Sequence, residues 1–181
     1  LRERWPDVPV VGMEPAVKPA AAATRSGVVG VLATTGTLAS ARFAALLDTF
    51  GRDVRVITRP GTGLVEAVER GELDTPATRA LVASHVEPLL AGGADVIVLG
   101  CTHYPFLRRV IEQQAGPSVQ VIDTGDSVAR QLAQRLTDTG LLRSAKPAGS
   151  ERFWSSAASG AASQVLQRLW QPDAALMALP G

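Results

Sequence analysis

Cysteine is nearly absent from this chain: Cys101 is the only one in 181 residues. A lone thiol has no partner for an internal disulfide, which fits a reducing compartment and sets the expected location as cytoplasmic. Histidine is almost as scarce, with only His85 and His103, and no metal site or cofactor is expected. Long apolar runs are missing too. None approaches the roughly 20 residues that a membrane helix needs, so no membrane partner is expected. Nor is there an excess of one charge: 18 basic residues against 17 acidic ones leave a formal charge of +1. Arg2, Arg4, Arg52, Arg55, Arg108 and Arg109 are scattered along the chain, so no basic stripe points to nucleic acid. The three tryptophans fall in no stacking pattern. There is no signal-peptide pattern at Leu1, and "LRERWPDVP" reads as a last helical turn running into a strand, so an upstream part is expected.

What the chain does have is a large apolar share, 46% against 19% charged, enough to bury one good core. Short β-branched runs recur at 8–13, 28–34, 54–58, 95–100 and 119–123, continuous in the way of strands buried on both faces. Helix-length segments separate them at 37–50 and 75–92, and from Asp126 onward Val128, Ala129, Leu132 and Leu136 repeat on one helical face. Strand and helix alternation of this kind predicts an α/β fold with a doubly wound parallel sheet. Residues 141–151 read as a linker, followed by a strand at "RFWSSAA" and a closing helix at "SQVLQRLW". The expected division is therefore 1–12 as the end of a preceding domain or linker, 13–124 as one complete α/β domain, and 125–181 as a segment of a second domain.

Function in such a sheet sits at the carboxyl ends of the strands. Cys101 and His103 fall there, after "VIVLG", and Pro105 suits the first turn of a following helix. Amides at a helix start favour an anion, either the thiolate or a substrate carboxylate, and His103 can relay a proton. The plain alternative is a buried structural thiol, because free cysteine is among the most buried residue types. Thr34 and Thr37 in "ATTGT" reach the same edge; they either bind a small anion or do no more than cap a helix through Thr35 or Thr37. Glu66, Glu69 and Glu72 read as a solvated helix face, and His85 as structural.

Five stretches carry a resemblance: "VPVVGMEPAVKPA" (8–20), "GVLATTGTLAS" (30–40), "GLVEAVERGELD" (63–74), "VLGCTHYPFL" (98–107) and "VIDTGDSVA" (121–129). In that order and spacing they resemble the glutamate racemases. The resemblance implies two pseudo-symmetric α/β domains, with the tail of this chain returning to the first. It also implies a cofactor-independent enzyme that interconverts L- and D-glutamate and supplies the D-isomer for peptidoglycan. Inverting Cα takes two acid/base groups on opposite faces, and the family uses two cysteines. By resemblance, Cys101 matches the second cysteine and His103 the residue assisting it, while Glu69 matches an acidic residue supporting catalysis. Thr102, Thr34 and Thr37 match substrate-binding positions. The implied partners are glutamate and, in a homodimer, a second copy.

The departures are equally specific. The family's first cysteine and its Asp-Ser substrate motif precede the stretch matching "VPVVGMEP", and this sequence starts after both. The expectation is that these residues hold half of the active site and do not racemise alone. "RPGTGLV" (59–65) also stands where family members often carry Cys-Pro, and its glycines argue for a flexible turn. Other readings are an aspartate or hydantoin racemase, or a non-catalytic carboxylate-binding half-protein. A thiol hydrolase ranks last, because no carboxylate is evident to orient His103.

Overall fold

Two strands made almost wholly of valine, leucine and isoleucine form the middle of the molecule. β1 (Val28–Ala33) and β3 (Val96–Gly100) are buried along nearly their full length. This computed structural model describes Leu1, residues 3–143 and residues 149–180. Between them, β1 and β3 are flanked by β2 (Arg55–Pro60) and β4 (Gln120–Ile122), giving an all-parallel sheet in the order β2-β1-β3-β4. Val29 lies opposite both Val56 and Val96, and Ala33 lies opposite both Pro60 and Gly100.

Strand periodicity of two sends alternate side chains to opposite faces, and both faces are covered. Val29, Val31, Ala33, Val96 and Val98 pack with Val17 and Ala20 of α1 (Val17–Ala23) and with Phe43. Leu32, Ile97 and Leu99 pack on the other face against α4 (Leu64–Glu69), α5 (Pro76–Ala91) and α6 (Arg108–Ala115). Each fully buried valine or leucine contributes about 1.5–3 kcal/mol. The doubly wound parallel sheet is thus present as expected. Right after Thr75, whose hydroxyl accepts from the Thr78 N–H, Pro76 starts α5, a combination of cap and preset φ that suits a helix start.

Several details differ from the sequence reading. Residues 8–13 belong to no sheet, and Val8 and Met13 are exposed; an apolar run becomes a strand only beside a partner, and Pro9 withholds a donor. The helix expected over 37–50 is two, α2 (Thr35–Leu38) and α3 (Ala41–Phe50). Ser40 divides them, donating to the Thr37 carbonyl at 2.7 Å and accepting from the Phe43 N–H at 3.1 Å. α7 (Gly125–Asp138) forms where its periodicity placed it, yet none of its described residues is buried and Leu132 is exposed. Residues 144–148 of the expected linker lie outside the described residues. Beyond them β5 (Phe153–Ser155) and α8 (Gly160–Leu169) match the reading, and β6 (Leu176–Ala178), which it missed, pairs with β5 in a parallel two-stranded sheet. α8 contacts the larger body: Arg168 donates to the Gly71 carbonyl at 2.6 Å, and Leu169 packs on its core.

The opposite end of the sheet from the site is tied by one carboxylate. Asp95, just before β3, accepts from the Thr24 hydroxyl at 2.5 Å and from the backbone N–H groups of Arg25 and Ser26 at 2.8 and 2.9 Å. Burial alone raises its pKa, but these three donors outweigh it and hold the carboxyl well below the usual range. The turn leading into β1 is thereby fastened to the start of β3.

Candidate active site

Three strand ends supply the site. β3 ends at Gly100, and residues 101–103 turn into a short 3-10 helix (Tyr104–Leu107) that leads on to α6. Pro105 therefore starts a 3-10 turn and not the α-helix expected there, with the first α-helical residue at Arg108. Cys101 is half-buried and packs against the main core. Its Sγ lies 3.9 Å from His103 Nδ1. The other ring nitrogen, Nε2, meets Glu69 Oε1 at 2.6 Å. A thiol, an imidazole and a carboxylate thus stand in sequence, and the carboxylate comes from the last residue of α4. Glu69 remains 64% exposed, so the reading of a solvated helix face describes its exposure but misses its partner. The carboxylate thought absent from His103 is present. Among the described residues, no group of three or more His, Cys, Asp or Glu could hold a metal ion.

Cys101 opens onto a cleft of about 320 Å³. Thr34, Thr37, Thr102 and Thr124 bring four hydroxyls to it, and Met13, Glu14 and Pro15 form a wall. Thr34 directly follows β1 and caps α2, accepting from the Thr37 N–H at 3.2 Å, while the two hydroxyls sit 2.9 Å apart. Neither Thr35 nor Thr37 is the cap. Capping and cleft lining are therefore done by the same hydroxyl. Thr102 is exposed and lies beside the ring, its Oγ1 at 3.5 Å from His103 Nδ1. His103 and Glu69 do not line the cleft; His103 meets it through the Cys101 thiol and the Thr102 hydroxyl, and Glu69 stands behind His103. His85 is buried in α5, its Nε2 at 2.9 Å from the Thr62 carbonyl, away from the cleft.

Thr124 was missed by sequence reasoning, although the strand-end rule that selected Thr34 and Cys101 applies to it, two residues past β4. Arg108 holds that strand end, donating to the Val121 carbonyl at 2.8 Å and to Asp123 at 2.5 Å, while Asp123 accepts from the Gly125 N–H at 2.7 Å. Burial raises the Asp123 carboxyl, but the Arg108 guanidinium and the Gly125 N–H bring it below its ordinary value.

A family model described as Asp/Glu/Hydantoin racemase matches residues 1–132. The chain belongs to this family. Among curated relatives, the glutamate racemase of Ectopseudomonas mendocina is 64% identical over 156 residues, covering 86% of this chain and 59% of the relative. That of Pseudomonas putida KT2440 is 60% identical over 170 residues, covering 94% and 64%. The chain thus spans less than two thirds of the length of these relatives. The solved Escherichia coli glutamate racemase, in complex with L-glutamate and the activator UDP-MurNAc-Ala, superposes with a TM-score of 0.80 at 30% identity, covering all of this chain and 69% of that one. Isoform RacE1 from Bacillus anthracis gives 0.77 at 25% identity, covering 91% and 61%.

In this racemase-family chain the cleft floor is set by a glycine. A Cβ on Gly100 would stand 2.8 Å from Ala33 Cβ on the neighbouring strand and 3.4 Å from Pro15. Gly100→Ala is expected to lose about 1–3 kcal/mol through overpacking between β1 and β3. A urea midpoint equal to that of the unmodified chain would show that the floor gives way freely.

Proposed function

We propose that this chain forms the thiol-bearing half of a cofactor-independent glutamate racemase site. The observation that carries the reading is the Cys101, His103 and Glu69 succession ending in a cleft lined by Thr34, Thr37 and Thr102. Removing the Cα proton of an amino acid requires a base within reach, a partner to stabilise that base, and donors to take up charge developing on the carboxylate. Cys101 as thiolate takes the proton; His103, steadied by Glu69, assists; the threonine hydroxyls hold the substrate's carboxylate and ammonium groups. The named relatives are glutamate racemases, which favours glutamate over aspartate or a hydantoin. In a cell wall context the product is D-glutamate for peptidoglycan.

One thiol addresses one face of Cα. These 181 residues hold a single cysteine, so the group acting on the opposite face is not a cysteine of this chain. The purified chain in deuterium oxide is therefore expected to exchange the α-proton of one glutamate enantiomer, with retention and without inversion. Mass spectrometry combined with chiral chromatography reads both quantities. Absence of exchange from either enantiomer, with glutamate bound, would leave a carboxylate-binding module; exchange of both with loss of optical activity would overturn the one-base assignment.

A further inference from the structure

Glu69 and His103 are far apart in sequence, yet their contact decides whether the imidazole is braced. Glu69 is the last residue of α4, so its place depends on where that six-residue helix begins. The start is unusual. Gly63 occupies the cap position with φ +86° and no side chain to hold the first turn. Two side chains hold the preceding loop instead. His85 Nε2 donates to the Thr62 carbonyl at 2.9 Å, and the Tyr104 hydroxyl donates to the Gly61 carbonyl at 3.1 Å.

We propose that Tyr104 is a positioning residue for the thiol relay, its hydroxyl fixing the Gly61 loop so that α4 delivers Glu69 to His103. The inference rests on the proton-transfer reading of Cys101 given above. Tyr104 directly follows His103 and is fully buried. Burial pushes its phenol well above the ordinary value, and negative charge at Cys101 and Glu66 adds to this, so the hydroxyl stays a neutral donor. The fit admits no side chain at Gly61: a Cβ there would lie 2.5 Å from the Tyr104 oxygen and 2.9 Å from Leu64. The Gly61 N–H is also used, donating at 3.0 Å to the carbonyl of Ala33, the residue before Thr34. α4 is thus attached at both ends to adjacent residues of one turn, through Gly61 to Tyr104 and through Glu69 to His103.

Alkylation of Cys101 by iodoacetamide tests the idea on the full chain, because the single thiol makes the mass reading unambiguous. Besides the relay itself, Glu66 on α4 and Cys101 act electrostatically on Tyr104, and Glu14 stands on the cleft wall beside the thiol. At pH 7, Glu69→Gln and Tyr104→Phe are each expected to slow alkylation about tenfold, the scale of a small misplacement. The double variant is expected to be no slower than Glu69→Gln alone, and Gly61→Ala, which crowds the same contact from the other side, to match Tyr104→Phe. At strongly alkaline pH all rates converge, because hydroxide then forms the thiolate without help. A Tyr104→Phe chain that alkylates at the unmodified rate while Glu69→Gln is slow overturns the proposal. So does multiplication of the two effects in the double variant, which is what two residues acting independently give. Should Glu69→Gln itself alkylate normally, the relay falls and this inference with it. Glutamate exchange is scored apart: its absence beside the expected alkylation pattern removes the racemase reading and leaves the Tyr104 assignment standing.

Discussion

Replacing Cys101 by serine is expected to lower the rate of glutamate α-proton exchange at least 10²–10⁴-fold, the range that a positioned acid/base group contributes. The hydroxyl is nearly the same shape, so the cleft and its four threonines stay in place, while the anion needed to take the proton is no longer accessible near neutral pH. Glutamate binding, measured by titration calorimetry, should change little. That combination matters, since a loss of binding would mean that the thiol shapes the cleft, and unaltered exchange would move the base elsewhere. Thr34, Thr37 and Thr102 approach the cleft from two different strand ends, so removal of one thiol leaves the carboxylate cradle intact.

Asp95→Asn carries the largest expected loss of stability, about 2–3 kcal/mol at pH 7. Asp95 accepts three hydrogen bonds from Thr24, Arg25 and Ser26; bonds to a charged group contribute about 1.5–3 kcal/mol each net, and the amide retains part of them. An amide in its place offers one acceptor fewer and turns an N–H toward donors. The carboxyl is depressed in the folded chain and has its ordinary value, about 3.9, when unfolded. Its contribution is therefore complete above about pH 4 and declines as pH falls through the folded value. Urea midpoints of both proteins should differ most at neutral pH and draw together in acid. Asp123 is depressed as well, so the variant keeps some acid sensitivity. A gap that stays constant from pH 7 to pH 2.5 would refute the charge argument.

Much of the sheet was legible because β1 and β3 are buried on both faces, and only an unbroken apolar run satisfies such a position. The start of α5 was legible for a local reason, the Thr75-Pro76 pair. Other features depend on neighbours that a single segment does not reveal. Residues 8–13 have strand composition without a strand beside them. α7 has helical periodicity, which predicts a helix but not what covers its apolar stripe. In the site, Cys101, His103 and Thr34 follow from the strand-end rule, whereas Glu69 was identified by resemblance alone. Its bond to His103 spans 34 positions and depends on where α4 begins. The Tyr104 clamp was invisible for the same reason, being a contact between a motif and a turn 43 residues before it.

One margin of the larger sheet has a bearing on how molecules of this protein meet each other. β2 is an outer strand, with only β1 paired to it among the described residues, and a bare ladder invites strands from other chains. Its outer residues discourage that. Arg55 and Arg59 reach across to backbone carbonyls at Gly92 and Ser84 of the α5 side, placing two guanidinium groups along the rim. Pro60 closes the strand with no N–H to offer. A second copy approaching edge-on meets like charge and a missing donor, so concentrated solutions are guarded against sheet-to-sheet stacking at this rim by three side chains that take no part in the chemistry.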